Sequence, residues 1–320
     1  MNKIKSILDF LNARLFSSTY QIRRLIVLMI VIIGLLILSF ATYYYYDRYY
    51  DPQQSVAQTA ISQAEQAVSA DPQNVDKRLH LAETYIVYKR FDDAVNQAVQ
   101  VVQTDPTNIE ADFVLGLAYA TDNKPQQAIE PLQKFIDARK GEDNAALDQE
   151  LQSAYYYLGD SYLKLGQPQS AIAPLETTVK EVGTDSDSLY KLGMAYGGVK
   201  RYSEAVQAFQ VATEFVPNFT EAYQAMADAY AALNQPDLAT YALGMEAYSK
   251  KDYKSALDLL LKATQAQPNF APGFAGLGEV YEATNDLKDA QTAYTTAIKI
   301  DPNNFAATNG LERVNLLLGK

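Results

Sequence analysis

Cysteine and tryptophan are absent from this 320-residue chain, and His80 is its only histidine. Without cysteine there is neither a disulfide framework nor a thiolate metal site. A single histidine excludes multi-histidine metal centres and the usual histidine-based triads. No Walker loop, GxSxG elbow, HExxH helix or dinucleotide fingerprint occurs. Gly276-Leu277-Gly278 lacks the third glycine of such a fingerprint. Asp185-Ser186-Asp187-Ser188 lacks the glycine and distal glutamate of a calcium loop and fits a helix-capping turn instead. His80, between Leu79 and Leu81, reads as a packing or surface residue. No catalytic residue, metal or cofactor is expected, and the chain is not expected to be an enzyme.

Positive charge is scarce everywhere except near the start. Residues 1–46 carry Lys3, Lys5, Arg14, Arg23 and Arg24 against Asp9 alone, a net +4, while the remainder stands at −15. A body this acidic repels a phosphate backbone, which excludes nucleic acid as a partner.

Long apolar runs are also missing, with one exception. Leu25 to Tyr46 contains no charge. At about 1.5 Å per residue, some 20 apolar residues cross a hydrocarbon core of roughly 30 Å. Arg23 and Arg24 close the run on one side, and Tyr43, Tyr44, Tyr45 and Tyr46 on the other, where aromatic rings favour the headgroup zone. A transmembrane helix over 25–46 is predicted, with residues 1–24 inside and the rest of the chain across an inner membrane, in the periplasm or outside the cell. The rival is a cleaved signal peptide, for which Ser39-Phe40-Ala41 offers small residues. In residues 3–16, Ile4, Ile7, Leu8, Leu11 and Leu15 share one helical face, which suits either a helix lying on the anionic inner leaflet or a frayed tail.

What the rest of the chain has in quantity is repetition. Leu115-Gly116, Tyr119 and Ala128 return as Leu158-Gly159, Tyr162 and Ala171, then as Leu192-Gly193, Tyr196 and Ala205, and again as Leu277-Gly278, Tyr281 and Ala290. This pattern at a 34-residue period, with proline following, resembles the tetratricopeptide repeat (TPR). The resemblance covers about residues 75–304 and implies an all-α solenoid of helical hairpins, in units starting at Val75, Ile109, Gln152, Ser186, Thr220, Asp237 and Ala271. Departures include Arg78 and Asp112 where an aromatic is expected, Ala247 at a tyrosine place and Lys251 at a proline place. Nine extra residues before Gln152, near 143–151, read as a lengthened helix or a loop. The half-period step between Thr220 and Asp237 makes one helix serve two roles, and a bend or a split into two subarrays is expected near 237. Residues 47–74 read as a link and a covering helix, and 305–320 as a terminal cap with Leu311, Val314 and Leu318 facing inward.

The resemblance also implies a groove lined from the first helices. At the fifth and ninth places of each unit stand Leu79 and Glu83, Phe113 and Leu117, Tyr156 and Asp160, Tyr190 and Met194, Gln224 and Asp228, Tyr241 and Met245, and Ala275 and Glu279. The lysine, asparagine and arginine that clamp a peptide carboxylate in this family are missing there, which disfavours an acidic peptide tail. Phe113, Leu117, Tyr156, Asp160, Tyr190, Met194, Asp228, Tyr241 and Met245 form the candidate groove, suited to an apolar or basic segment of a protein partner. Each side chain has an alternative reading as a filler between helices. The implied role is a membrane-anchored docking scaffold for envelope assembly or chaperoning, and the alternative is an accessory subunit of one membrane complex.

Overall fold

The computed structural model describes residues 19–49, 52–142, 145–182 and 185–319. They divide into two units, 1–77 and 78–320. The amphipathic segment expected at 3–16 lies outside the described residues, as do the side chain of Arg23 and the link at Tyr50 and Asp51.

In the first unit, α1 (Thr19–Tyr49) is a single 31-residue helix, followed by α2 (Pro52–Ala70). Along Ile26–Tyr46 the mean hydropathy is 2.7, and no side chain is covered by protein. Near the end of the run the Thr42 hydroxyl turns onto its own helix, Oγ1 donating to the Leu38 carbonyl at 2.7 Å. Among the described residues this is the one helix long and apolar enough to cross a membrane.

The rest is a sequence of short helices without strands among the described residues: α3 (Val75–Val87), α4 (Phe91–Thr104), α5 (Ile109–Thr121), α6 (Pro125–Arg139), α7 (Gln149–Lys164), α8 (Pro168–Val182), α9 (Ser186–Gly198), α10 (Tyr202–Phe215), α11 (Thr220–Ala232), α12 (Pro236–Ser249), α13 (Tyr253–Ala266), α14 (Ala271–Ala283), α15 (Leu287–Ile300) and α16 (Phe305–Leu317). From α5 onward each packs chiefly on its chain neighbours, as in a solenoid of hairpins. Their apolar faces are too short to be stable alone, so neighbour packing supplies the stability. The small residues read from the sequence mark the closest approaches. Ala94, Ala128, Ala171, Ala205, Ala256 and Ala290 have no exposed surface. On the facing helix, a Cβ on Gly193 would lie 2.5 Å from the Phe209 ring.

Two kinds of turn alternate. Between the helices of a hairpin, the backbone passes through the left-handed region at Lys89, Asn123, Gly166, Lys200, Asn234, Lys251 and Asn285. Between hairpins none of the described residues does. There a proline (Pro106, Pro217, Pro268 or Pro302) follows the helix end, and the turn closes by bonds such as Phe270 N–H to the Gln267 carbonyl at 3.2 Å. α12 is flanked by left-handed turns on both sides, at Asn234 and Lys251. It is therefore the second helix of α11 and the first helix of α13 at once. No split accompanies this: 78–320 stays one unit, and one apolar cluster runs from Ala205 to Ala293. α12 presents apolar side chains to both partners.

A lysine at a left-handed position costs about 1–2 kcal/mol relative to the right-handed backbone. Lys251→Gly should therefore raise stability by about 1 kcal/mol, read as a higher urea midpoint, whereas Gly166→Ala should lower it by a similar amount.

Between α6 and α7 the described residues include one 3₁₀ turn, Ala145–Leu147. Arg139 ties the loop down by donating to Asp148 at 2.8 Å and Glu150 at 3.3 Å. At the far end, α16 places Val314 fully inside, with Leu311 and Leu318 packed on the same cluster.

Candidate functional site

The nine groove residues all sit on first helices, yet they do not share one surface. Phe113 is buried, its ring 4.8 Å from that of Phe135, which is itself fully enclosed. Tyr241 is buried edge-on to Phe270 at 4.9 Å. Met245 is 3% exposed. The sulfur of Met245 occupies the space over Gly276, where a Cβ would come within 2.6 Å of it. These three side chains fill gaps between helices, Phe113 and Tyr241 against phenylalanine rings and Met245 in the space that Gly276 leaves open.

Asp160 is also buried, and it is already paired. Lys191 Nζ reaches Asp160 Oδ1 at 2.8 Å and Lys164 Nζ reaches Oδ2 at 2.9 Å. Burial pushes the carboxyl up, but hydrogen bonds from the two ammonium groups outweigh it and hold Asp160 below the usual aspartate range. Tyr156 lies over this network, with Lys191 Nζ 5.6 Å from its ring centre and its hydroxyl donating to Asp187. Burial, then the bond to Asp187, drives the Tyr156 hydroxyl far above the ordinary phenol range.

What remains accessible is smaller. Met194 is 43% exposed, and Asp228 is exposed as well. Tyr156, Tyr190 and Leu117 are half-buried. Tyr190 leans on Phe209 and Phe219, with ring centres at 5.8 and 5.0 Å. Tyr156, Tyr190 and Met194 thus form a small aromatic and methionine surface on two consecutive first helices, α7 and α9, fringed by Asp187.

Residues outside the predicted set matter as much. Lys191 follows the register position Tyr190 by one place and is not itself a groove position, so the repeat pattern gives no hint that it neutralises Asp160. Glu279 stands at a ninth place, but nothing in the sequence signals its environment. Its Oε2 atom is buried without a hydrogen-bond donor, and burial pushes its carboxyl up to about 7. Beside it, Glu282 is fully paired, taking two bonds from Arg313 at 2.9 Å and one from the Tyr294 hydroxyl at 2.8 Å.

His80 is a surface residue, its side chain 73% exposed and 3.7 Å from Glu83. Asp185 caps α9 through bonds from the Asp187 and Ser188 amides. At the ends of the apolar run, Tyr43, Tyr44, Tyr45 and Tyr46 are at least half exposed and Arg24 is exposed.

Comparison with known proteins bears on this arrangement directly. Two family models, both described as tetratricopeptide repeat, match residues 54–111 and 247–313, and residues 89–145 and 156–218. The heat shock protein sti1 homolog of Schizosaccharomyces pombe is 38% identical over 66 residues, which is 21% of this chain and 11% of that protein's length. The uncharacterized protein ycf37 of Guillardia theta is 24% identical over 154 residues, covering 47% of this chain and 75% of that protein. Among solved structures, MamA AMB-1 superposes with a TM-score of 0.50 at 18% identity, covering 57% of this chain and 94% of that one. That likeness concerns the fold alone.

Proposed function

Because this chain belongs to the tetratricopeptide-repeat family, we propose that its helical array is a docking scaffold that holds a polypeptide partner against the first helices. The observation that carries this reading is the accessible surface of Tyr156, Tyr190 and Met194 on α7 and α9. Aromatic rings supply contact area at little entropic cost, and methionine adapts to irregular partners. The body's acidity favours a segment with basic as well as apolar side chains.

The apolar run of α1 anchors the scaffold in a membrane. Uncovered apolar side chains from Ile26 to Tyr46 would be a large liability in water. In a bilayer the same helix satisfies its own backbone. The basic residues before it and the tyrosines after it orient residues 1–24 inward, with the repeats on the outer face of a bacterial inner membrane. There the protein serves envelope assembly or chaperoning of exported chains.

The absence of native cysteine makes topology simple to test. Ser6→Cys should resist, and Gln103→Cys should accept, an impermeant maleimide on intact cells; the reverse labelling would overturn the orientation. For the groove, a photocrosslinker at Met194 should capture discrete partners in intact cells. Replacing Tyr156, Tyr190 and a neighbouring Met194 probe site by alanine, with the probe moved to Asp228, should cut that capture at least tenfold at unchanged helix content. Equal capture would remove the groove reading.

A further inference from the structure

Among the described residues, α14 carries the one acid with a buried oxygen that lacks a hydrogen-bond partner. The charge of Glu279 is felt by tyrosine hydroxyls on three elements, Tyr223 of α11, Tyr241 and Tyr248 of α12, and Tyr294 of α15, of which Tyr248 keeps access to solvent and the other three are buried. Each of these phenols is raised by burial, and the Glu279 charge adds to the rise in every one. The charged groups facing it are Glu282 on its own helix and Arg313 on α16. Arg313 is committed to Glu282 through both of its bonds, and the Tyr294 hydroxyl donates to Glu282 as well. Glu279 is left as the acid with a buried oxygen and no donor. The residue as a whole keeps partial access to solvent, and so does Tyr248 on the facing helix.

An ionised carboxylate removed from water without a donor is costly, and it is relieved by a proton or by a cation with N–H groups. Tyr248, half-buried on the facing helix, adds an aromatic side chain of the kind an ammonium or guanidinium favours. A neutral apolar group would leave the oxygen unpaired, and an acidic group would be repelled by Glu279 and Glu282 together. We propose that Glu279, with the half-buried Tyr248 of the facing helix, is a receptor for one lysine or arginine side chain of the docked polypeptide. This rests on the scaffold reading above and makes it specific: the partner segment carries a cation that lies over α14 while its apolar part lies over α7 and α9.

Binding is then linked to protons. The cation pairs only with the ionised acid, whose carboxyl stands near 7 in the free protein. Affinity for a cationic segment is therefore full above pH 7 and falls below it, by up to about tenfold per pH unit.

The test uses the full-length chain in detergent and fluorescent 12-residue peptides of alanine, leucine and serine with one central residue varied. Anisotropy at pH 8 should show the lysine or arginine peptide binding at least tenfold tighter than the norleucine peptide. That ratio should shrink at least fivefold at pH 6 in the wild-type chain, a measurement that needs no variant. Glu279→Gln should retain norleucine-peptide affinity and lose the preference for cations, at unchanged helix content. Equal binding of lysine and norleucine peptides, a ratio constant between pH 8 and pH 6, or a preference that survives in Glu279→Gln would overturn the receptor while leaving the scaffold reading in place. Failure of every peptide to bind the wild-type chain would overturn the scaffold reading, and the receptor with it.

Discussion

Tyr294→Ala should destabilise the C-terminal hairpins by about 3–5 kcal/mol, the range for removing an enclosed aromatic ring. Tyr294 is fully buried, and its ring is held between two glycines on different helices. A Cβ on Gly278 of α14 would lie 2.5 Å from the ring, and one on Gly310 of α16 would lie 2.3 Å from Cζ. The ring thus spans the contact from one hairpin to the terminal helix. Its hydroxyl also donates to Glu282 at 2.8 Å, and hydrogen bonds to charged groups contribute about 1.5–3 kcal/mol. Tyr294→Phe, which keeps the ring, should therefore fall between wild type and alanine. Because a solenoid is stabilised unit by unit, the loss should be local. Hydrogen exchange should accelerate across α14 to α16 while α5 to α10 keep their protection. Gly310→Ala tests the same contact from the other side: about 1 kcal/mol gained in helix propensity should be outweighed by the clash. A Tyr294→Ala loss under 1 kcal/mol would mean that the ring is dispensable.

The repeat register was legible because it rests on small residues that backbone contact forces into place. Ala128, Ala171, Ala205 and Ala290, the alanines that recur in the repeat, have no exposed surface. Pro125, Pro168 and Pro236 likewise start helices, where the missing N–H removes no bond. Pro131 and Pro174 lie inside α6 and α8 without ending them, a case where packing overrides local preference. The groove was legible only in part, because a position in the repeat fixes the face of a side chain but not its depth. Depth depends on what the neighbouring helix carries. Met245 is covered because Gly276 admits it, whereas Met194, at the same place two units earlier, stays open. Pairing is equally invisible to the period: Asp160 and Glu279 occupy equivalent places, one with two lysines and the other with an unpaired oxygen.

That unpaired oxygen carries a stability cost that pH controls. In the unfolded chain a glutamate titrates near its ordinary value of 4.5, whereas in the fold Glu279 titrates near 7. The folded state holds the proton more tightly, so stability is greatest below pH 4.5 and is lost as pH rises through 7. A difference of this size corresponds to about 3 kcal/mol at pH 8. Glu279→Gln, which cannot ionise, should be more stable than the parent by about that amount at pH 8 and nearly equal to it at pH 4.5. Other carboxylates do not mimic the effect in the difference between the two proteins. Asp148, Asp160 and Glu282 are held low by cationic partners, so their stability is present at neutral pH and is lost only as pH falls into the acid range, equally in both chains. Glu83, Asp112 and Glu150 are raised by burial and slope in the same direction as Glu279, again in both. Urea midpoints measured every half pH unit from 4.5 to 8 should therefore diverge steadily between parent and variant, with the steepest change in the parent. Equal midpoints at pH 8 would show that the carboxylate is satisfied in the free protein, and that no binding energy is stored there for a cationic partner to recover.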